Sequence, residues 1–139
     1  MTPHIATCVA VGKHGVLIEG PPASGKSALA LALIDRGAQL IGDDGVMLEV
    51  RGAQLVAHPH PQTRGLLEIR NLGLISFPVC LAAPIALVIV LDPSAPRFID
   101  APQEVERLGV ALPCISIWPD PAAPALKVEQ ALRVYGLCS

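Results

Sequence analysis

The sequence predicts an α/β fold built around a phosphate-binding loop, and three observations carry that prediction. Gly20-Pro21-Pro22-Ala23-Ser24-Gly25-Lys26-Ser27 matches Gly-x-x-x-x-Gly-Lys-Ser/Thr in full. The motif stands between a β-rich stretch, Gly15 to Ile18, and a run of strong helix formers, Ser27 to Arg36. The 14 prolines fall almost wholly between short apolar runs, as element boundaries do.

Along the chain, Ile5 to Val11 and Gly15 to Ile18 read as strands flanking the turn Gly12-Lys13-His14. The helix from Ser27 to Arg36 is stopped by Gly37, which accepts the left-handed conformation a helix end favours. Leu40 and Ile41 return to strand and run into the turn Gly42-Asp43-Asp44-Gly45. Val46 to Val50 and Gln54 to Ala57 form a hairpin about Arg51-Gly52. His58-Pro59-His60-Pro61 is expected to be loop, because a residue before proline is driven to extended geometry. Leu66 to Ile75 mixes apolar residues with Glu68, Arg70 and Asn71. Ile85 to Leu91 reads as the core strand and ends at Asp92-Pro93, and loop follows to Pro102. Gln103 to Leu108 is expected to make one or two helical turns, Ile115 to Ile117 a last strand, and Leu126 to Tyr135 an amphipathic closing helix.

The composition narrows the function. A chain of 139 residues suits one domain, 1–139, with a core of its own. A formal charge of -2 offers no basic surplus for a polyphosphate backbone, and 3% aromatic residues offer few stacking platforms, so no nucleic-acid partner is expected. Mean hydropathy is high at +0.54. Yet the longest apolar run, Ala82 to Leu91, is broken by Pro84 and is about half the ~20 residues of a spanning helix. We therefore expect no membrane segment and, with no signal peptide in view, a cytoplasmic protein. Cys8, Cys80, Cys114 and Cys138 lack Cys-x-x-Cys spacing and read as small buried hydrophobes in a reducing compartment.

The loop motif implies a nucleoside triphosphate with magnesium. Successive backbone N–H groups and the helix dipole hold phosphates, Lys26 reaches the β and γ oxygens, and Ser27 ligates Mg²⁺. Pro21 and Pro22 lack N–H groups, so the donors are expected from Ala23 onward. Asp92, after the core strand, is a further metal candidate. Taken alone, Asp43-Asp44-Gly45 is an ordinary turn and Glu68 a solvated side chain. Arg107 has Glu104 and Glu106 at hand as partners, and the His58/His60 pair lacks a third metal ligand.

Gly15-Val16-Leu17-Ile18-Glu19-Gly20 through Lys26-Ser27, then Asp35-Arg36-Gly37, Leu40-Ile41-Gly42-Asp43-Asp44 and Leu67-Glu68-Ile69-Arg70-Asn71-Leu72-Gly73-Leu74-Ile75, occur in an order that resembles the bacterial HPr kinase/phosphorylase family. That family has Leu-Glu-Ile-Arg-Gly-Leu-Gly-Ile-Ile in the last stretch, so Asn71 replaces a glycine. Glu106-Arg107-Leu108-Gly109 resembles its Asp-Arg-Leu-Gly segment. The resemblance spans about residues 4 to 135, which corresponds to the catalytic half of the long members, and a short chain of this kind looks like the members of alphaproteobacteria. It implies a P-loop α/β fold with a mixed central sheet, similar to phosphoenolpyruvate carboxykinase.

Carried over by position, the resemblance implies Gly20, Pro21, Pro22, Ala23, Ser24, Gly25, Lys26 and Ser27 on the phosphates of ATP, and Ser27 and Glu68 on Mg²⁺ with Asp43 supporting the metal. It implies Asp44 as the base that takes a serine proton, and His4 and Arg107 as further catalytic groups, Arg107 offsetting transition-state charge. The implied acceptor is the phosphocarrier HPr or a relative, in the regulation of carbon or nitrogen metabolism. A homo-oligomer is also implied, many members being hexamers. The family's Pro-Val-Arg-Pro-Gly-Arg-Asn loop is replaced by Trp118-Pro119-Asp120-Pro121-Ala122-Ala123-Pro124, without arginines, so the reverse phosphorylase activity is not expected. The stretch between Ile75 and Ile85 is shorter than in long members. The alternatives are a small-metabolite kinase on the same scaffold and a nucleotide-sensing regulator that binds without transfer.

Overall fold

The computed structural model describes residues 1–119 and 124–137. The chain forms β1 (Thr2–His4), β2 (Thr7–Val11), β3 (His14–Glu19), α1 (Lys26–Asp35), β4 (Gln39–Gly42), β5 (Val46–Arg51) and β6 (Gln54–Pro59). There follow β7 (Leu66–Ile69), β8 (Gly73–Ser76), β9 (Ala83–Leu91), β10 (Gln103–Arg107), β11 (Val110–Ile117) and α2 (Pro124–Tyr135). Among the described residues, nine strands make one mixed sheet in the order β1-β5-β6-β9-β3-β2-β4, with the β10-β11 hairpin joined to β9 through β11. Strand β9 is the hub. It runs parallel to β3 and to β11 and antiparallel to β6.

The apolar runs are continuous because the central strands are covered on both faces. On one face Val9, Val16, Ile18, Leu87 and Ile89 pack with Leu29 and Leu33 of α1 and Val128 of α2. On the other, Cys8, Leu17, Val88 and Cys114 pack with Leu48 and Leu55 of the β5-β6 hairpin. Cys8 and Cys114 are thus the small buried hydrophobes expected, Cys80 is half-buried, and Cys138 lies outside the described residues. Among the described residues no helix is long and apolar enough to cross a membrane.

Helix α1 ends as the sequence predicts. Gly37 adopts φ 108°, its N–H bonds to Ile34 O, and Ala38 N–H bonds to Leu33 O, the paired bonds that close a helix through a left-handed residue. Helix α2 begins at Pro124, and its Glu129 pairs with Arg36 at 2.8 Å.

Four expectations are corrected. Ile5 to Val11 is not one strand: β1 ends at His4, Ile5 is exposed, and β2 starts at Thr7. The extended geometry that proline imposes on His58 is also strand geometry, so β6 runs on to Pro59, with Met47 opposite His58 and Val46 opposite Pro59. The last strand starts at Val110, not Ile115. Gln103 to Leu108 forms no helix; β10 pairs antiparallel with β11 across its whole length, and cross-strand pairing overrides the helix-forming composition.

The β10-β11 turn is two residues long, Leu108-Gly109, with φ 51° and 81°, and two positive φ angles are what a type I′ hairpin turn requires. Leu108 is a poor fit, since a leucine pays a steric penalty in this region that asparagine largely escapes, and its side chain is 46% exposed. Leu108→Asn is therefore expected to raise stability by about 1 kcal/mol, read from the denaturation midpoint.

Candidate active site

The phosphate-loop motif turns sharply between β3 and α1. A Cβ on Gly20 would lie 2.8 Å from Ser24 Oγ and 3.2 Å from Leu91 O, so the loop can only enter this close to the end of β9 as glycine. Ala23 and Gly25 take φ 62° and 101°, and Ser24 N–H bonds to Pro21 O at 3.2 Å. Gly25 caps α1 without any side-chain hydrogen bond, and the first turn holds no acidic residue. The helix therefore presents its N-terminal N–H groups and positive dipole end to the loop. Ser24 Oγ is buried there with no hydrogen-bond partner among the described residues. Lys26 Nζ donates to Gly20 O at 2.9 Å and Pro21 O at 3.4 Å, which bends the ammonium over the loop.

Asp43 ties three elements to this loop. Its Oδ1 accepts from Ser27 Oγ at 2.6 Å and from Thr7 Oγ1 at 3.0 Å, and its Oδ2 accepts from Glu68 N–H at 3.1 Å. Asp43 and Thr7 are both buried, so each donor serves a carboxylate that water cannot solvate. The backbone then kinks. Asp44 adopts φ 57° with its N–H 3.4 Å from Thr7 Oγ1, and its side chain turns outward while that of Asp43 turns in.

Asp44, Lys26, Ser27 and Glu68 line one cleft of about 730 Å³, a volume suited to a nucleotide-sized ligand. Ile5, Leu31 and Ile69 supply apolar wall, and Arg70 a second cation. Glu68 and Arg70 reach the cleft from the β7-β8 hairpin, which Leu67 anchors in the core beneath α1. Asn71 occupies the hairpin turn at φ 73°, where asparagine is the best substitute for glycine, so the departure from the family's glycine preserves the turn.

His4 and Arg107 stand beside the cleft, not in its lining. Arg107 does not pair with the side chain of Glu104 or Glu106; its Nη2 and Nε donate to Glu19 at 2.6 and 3.1 Å. His4 Nε2 lies 2.9 Å from the same carboxylate. Burial alone would push the Glu19 carboxyl up, but hydrogen bonds from Arg107 and His4 and their charges hold it below the usual carboxylate range. Thr7, Glu19 and Arg70 belong to the site region and were not singled out in the sequence. Arg70 carried a signal through its place in the segment around Glu68, and Glu19 through its place in the stretch Gly15 to Gly20 that leads into the loop.

Other candidates fall elsewhere. Asp92 closes a local turn, with Oδ1 accepting from Ser94 N–H at 2.8 Å. His58 pairs with Glu49 at 2.8 Å, and His60 Nδ1 accepts from Gln62 N–H. Among the described residues no three His, Cys, Asp or Glu side chains gather as a metal cluster. Within Trp118-Pro119-Asp120-Pro121-Ala122-Ala123-Pro124, residues 120–123 lie outside the described residues.

Three comparisons bear on this site. The family model described as the HPr Serine kinase C-terminal domain matches residues 2–117. The chain is 45% identical over 65 residues to the HPr kinase/phosphorylase of Clostridium tetani (strain Massachusetts / E88), covering 46% of this chain and 21% of that protein. It is 36% identical over 104 residues to the protein of the same name from Clostridium novyi (strain NT), covering 69% of this chain and 32% of that one. The matched stretch is thus a third or less of these relatives' length. The solved structure of the Hpr(Ser) kinase/phosphatase from Coxiella burnetii superimposes with a TM-score of 0.85 at 30% identity, covering 96% of this chain and 89% of that one. The expected α/β fold with a mixed central sheet is therefore the fold of that structure.

Proposed function

The chain belongs to the family of HPr serine kinase C-terminal domains, and from that premise we propose that it is an ATP-dependent protein-serine kinase acting on HPr or a related phosphotransferase-system protein. The observation that carries the reading is the meeting of Asp44 with Lys26, Ser27 and Glu68 in one cleft. A carboxylate poised at the mouth of a phosphate loop has a use in a kinase that it lacks in a simple nucleotide binder.

The residues fit ATP with magnesium. The orphaned Ser24 Oγ, the uncapped start of α1 and the Lys26 ammonium supply donors for a polyanion. Pro21 and Pro22 have none to give and Ser24 N–H is already bonded, so the backbone donors are those of Ala23 and of Gly25 onward. Ser27 and Glu68 would hold the cation with Asp43 behind Ser27. A site with so few carboxylates suits Mg²⁺, which takes one or two from the protein and the rest from phosphate and water. When bound, the ion would neutralise charge on the phosphates.

In the reaction Asp44 accepts the proton of the acceptor serine as its oxygen attacks the γ-phosphorus. The bond from phosphorus to the bridging oxygen breaks and ADP leaves. Lys26 follows the phosphate oxygens, and Arg107, from the end of β10, offsets charge that develops on the transferring group. We propose transfer without the reverse phosphorylase activity, because the stretch from Trp118 to Pro124 has no arginine.

With γ-labelled ATP, magnesium and purified HPr, label is expected on a serine of HPr, and Lys26→Ala is expected to abolish it. Label confined to a small molecule of a cell extract would instead establish a metabolite kinase. Nucleotide binding with no transfer to either would establish a sensing regulator.

A further inference from the structure

Glu19 stands just before the phosphate-loop motif and lies outside the cleft lining, yet it joins the two side chains beside that cleft. It ends β3, one residue before the phosphate loop. Its Oε1 accepts from Arg107 Nη2 at 2.6 Å, and its Oε2 accepts from Arg107 Nε at 3.1 Å and meets His4 Nε2 at 2.9 Å. The carboxylate is ionised, so the histidine nitrogen is the donor in that contact. His4 comes from β1 at one edge of the sheet, and Arg107 from β10, which pairs with β11 alone. Both side chains are thus tied to the strand that leads into the loop.

We propose that Glu19 is a positioning residue for phosphoryl transfer, fixing Arg107 and His4 at the mouth of the phosphate loop and acting through them. The inference rests on the kinase reading above. A guanidinium on a flexible stem loses much of its value if it must be ordered during the reaction, and a two-pronged carboxylate clamp orders it beforehand. Nη1 donates to Glu106 O at 2.8 Å, so the fork is held at three nitrogens. Each Nη still carries a second hydrogen for a substrate oxygen. The side chain of Glu19 is 16% exposed, and those of Arg107 and His4 are 25% and 27% exposed, so the anchor is the most shielded of the three. An ion pair that merely laced strands together would use the same atoms, and the test must separate the two roles.

The test is a mutant cycle on label transfer from ATP to purified HPr, with kcat and KM for ATP measured separately. In the otherwise unaltered chain, Glu19→Gln keeps the shape and removes the charge. It is expected to lower kcat about 10- to 100-fold with KM for ATP unchanged, and Glu19→Asp is expected to recover part of the loss. In a His4→Ala/Arg107→Ala background, Glu19→Gln is expected to cause no further loss, because the groups it positions are gone. Equal losses in both backgrounds, or a shift in KM alone, would make Glu19 scaffold and overturn the proposal, as would full activity of Glu19→Gln. If the unaltered chain labels no HPr, the kinase reading itself fails and takes this proposal with it.

Discussion

Replacing Asp44 by asparagine is expected to lower γ-phosphate transfer by about 10²- to 10⁴-fold and to leave nucleotide binding intact. Asparagine is the right probe because of the backbone. Asp44 sits at φ 57°, a region that Asp and Asn tolerate far better than most residues, so the turn survives the change. The side chain is exposed in the cleft lining and, among the described residues, makes no hydrogen bond to the phosphate loop, whereas its neighbour Asp43 holds that loop through Ser27. An amide cannot take the serine proton at neutral pH, so only the chemical step should suffer. Calorimetry with ADP should match the unaltered chain, while label transfer to HPr falls. Equal transfer by Asp44→Asn would remove the assigned base.

How much of this was legible in the sequence follows from how far apart the interacting residues lie. The phosphate loop, α1 and its Gly37 stop are contiguous, so the pattern of residues is itself the structure. Strand β9 was legible as an apolar run because both its faces are buried. Strand β10 was not, since Gln103 to Arg107 is rich in helix formers and its strand state is decided by β11 across a turn that leucine does not advertise. Asp44 and Glu68 could be joined to the loop only through the family resemblance. The contacts of Glu19 span 15 and 88 residues and join side chains of three strands, and no local pattern carries such information. Thr7 is similar: it is a buried hydroxyl 36 residues from the Asp43 carboxylate it serves.

The second large effect lies one residue before Asp43. Gly42→Ala is expected to destabilise the fold by about 3 kcal/mol or more, measured as a shift in the denaturation midpoint. The cause is space, not conformational freedom, since the φ of Gly42 is not in the left-handed region. A Cβ here would overlap the Gly45 carbonyl oxygen outright and sit 2.8 Å from Val46 Cγ1. The first obstacle is backbone, which cannot rotate aside as a side chain can. Relief would require opening the turn from β4 to β5, which carries Asp43 and so the links to Thr7, Ser27 and Glu68. Gly45 in the same turn is the control. A Cβ there meets only His60 Cδ2 at 3.9 Å, an ordinary contact, and Gly45→Ala should cost well under about 1 kcal/mol. The two alanines add the same methyl group three residues apart, so a large loss in one and little in the other isolates the close approach as the cause. Equal midpoints for both variants would show that the β4-β5 turn relaxes freely, and that its tightness is not what holds Asp43 against the phosphate loop.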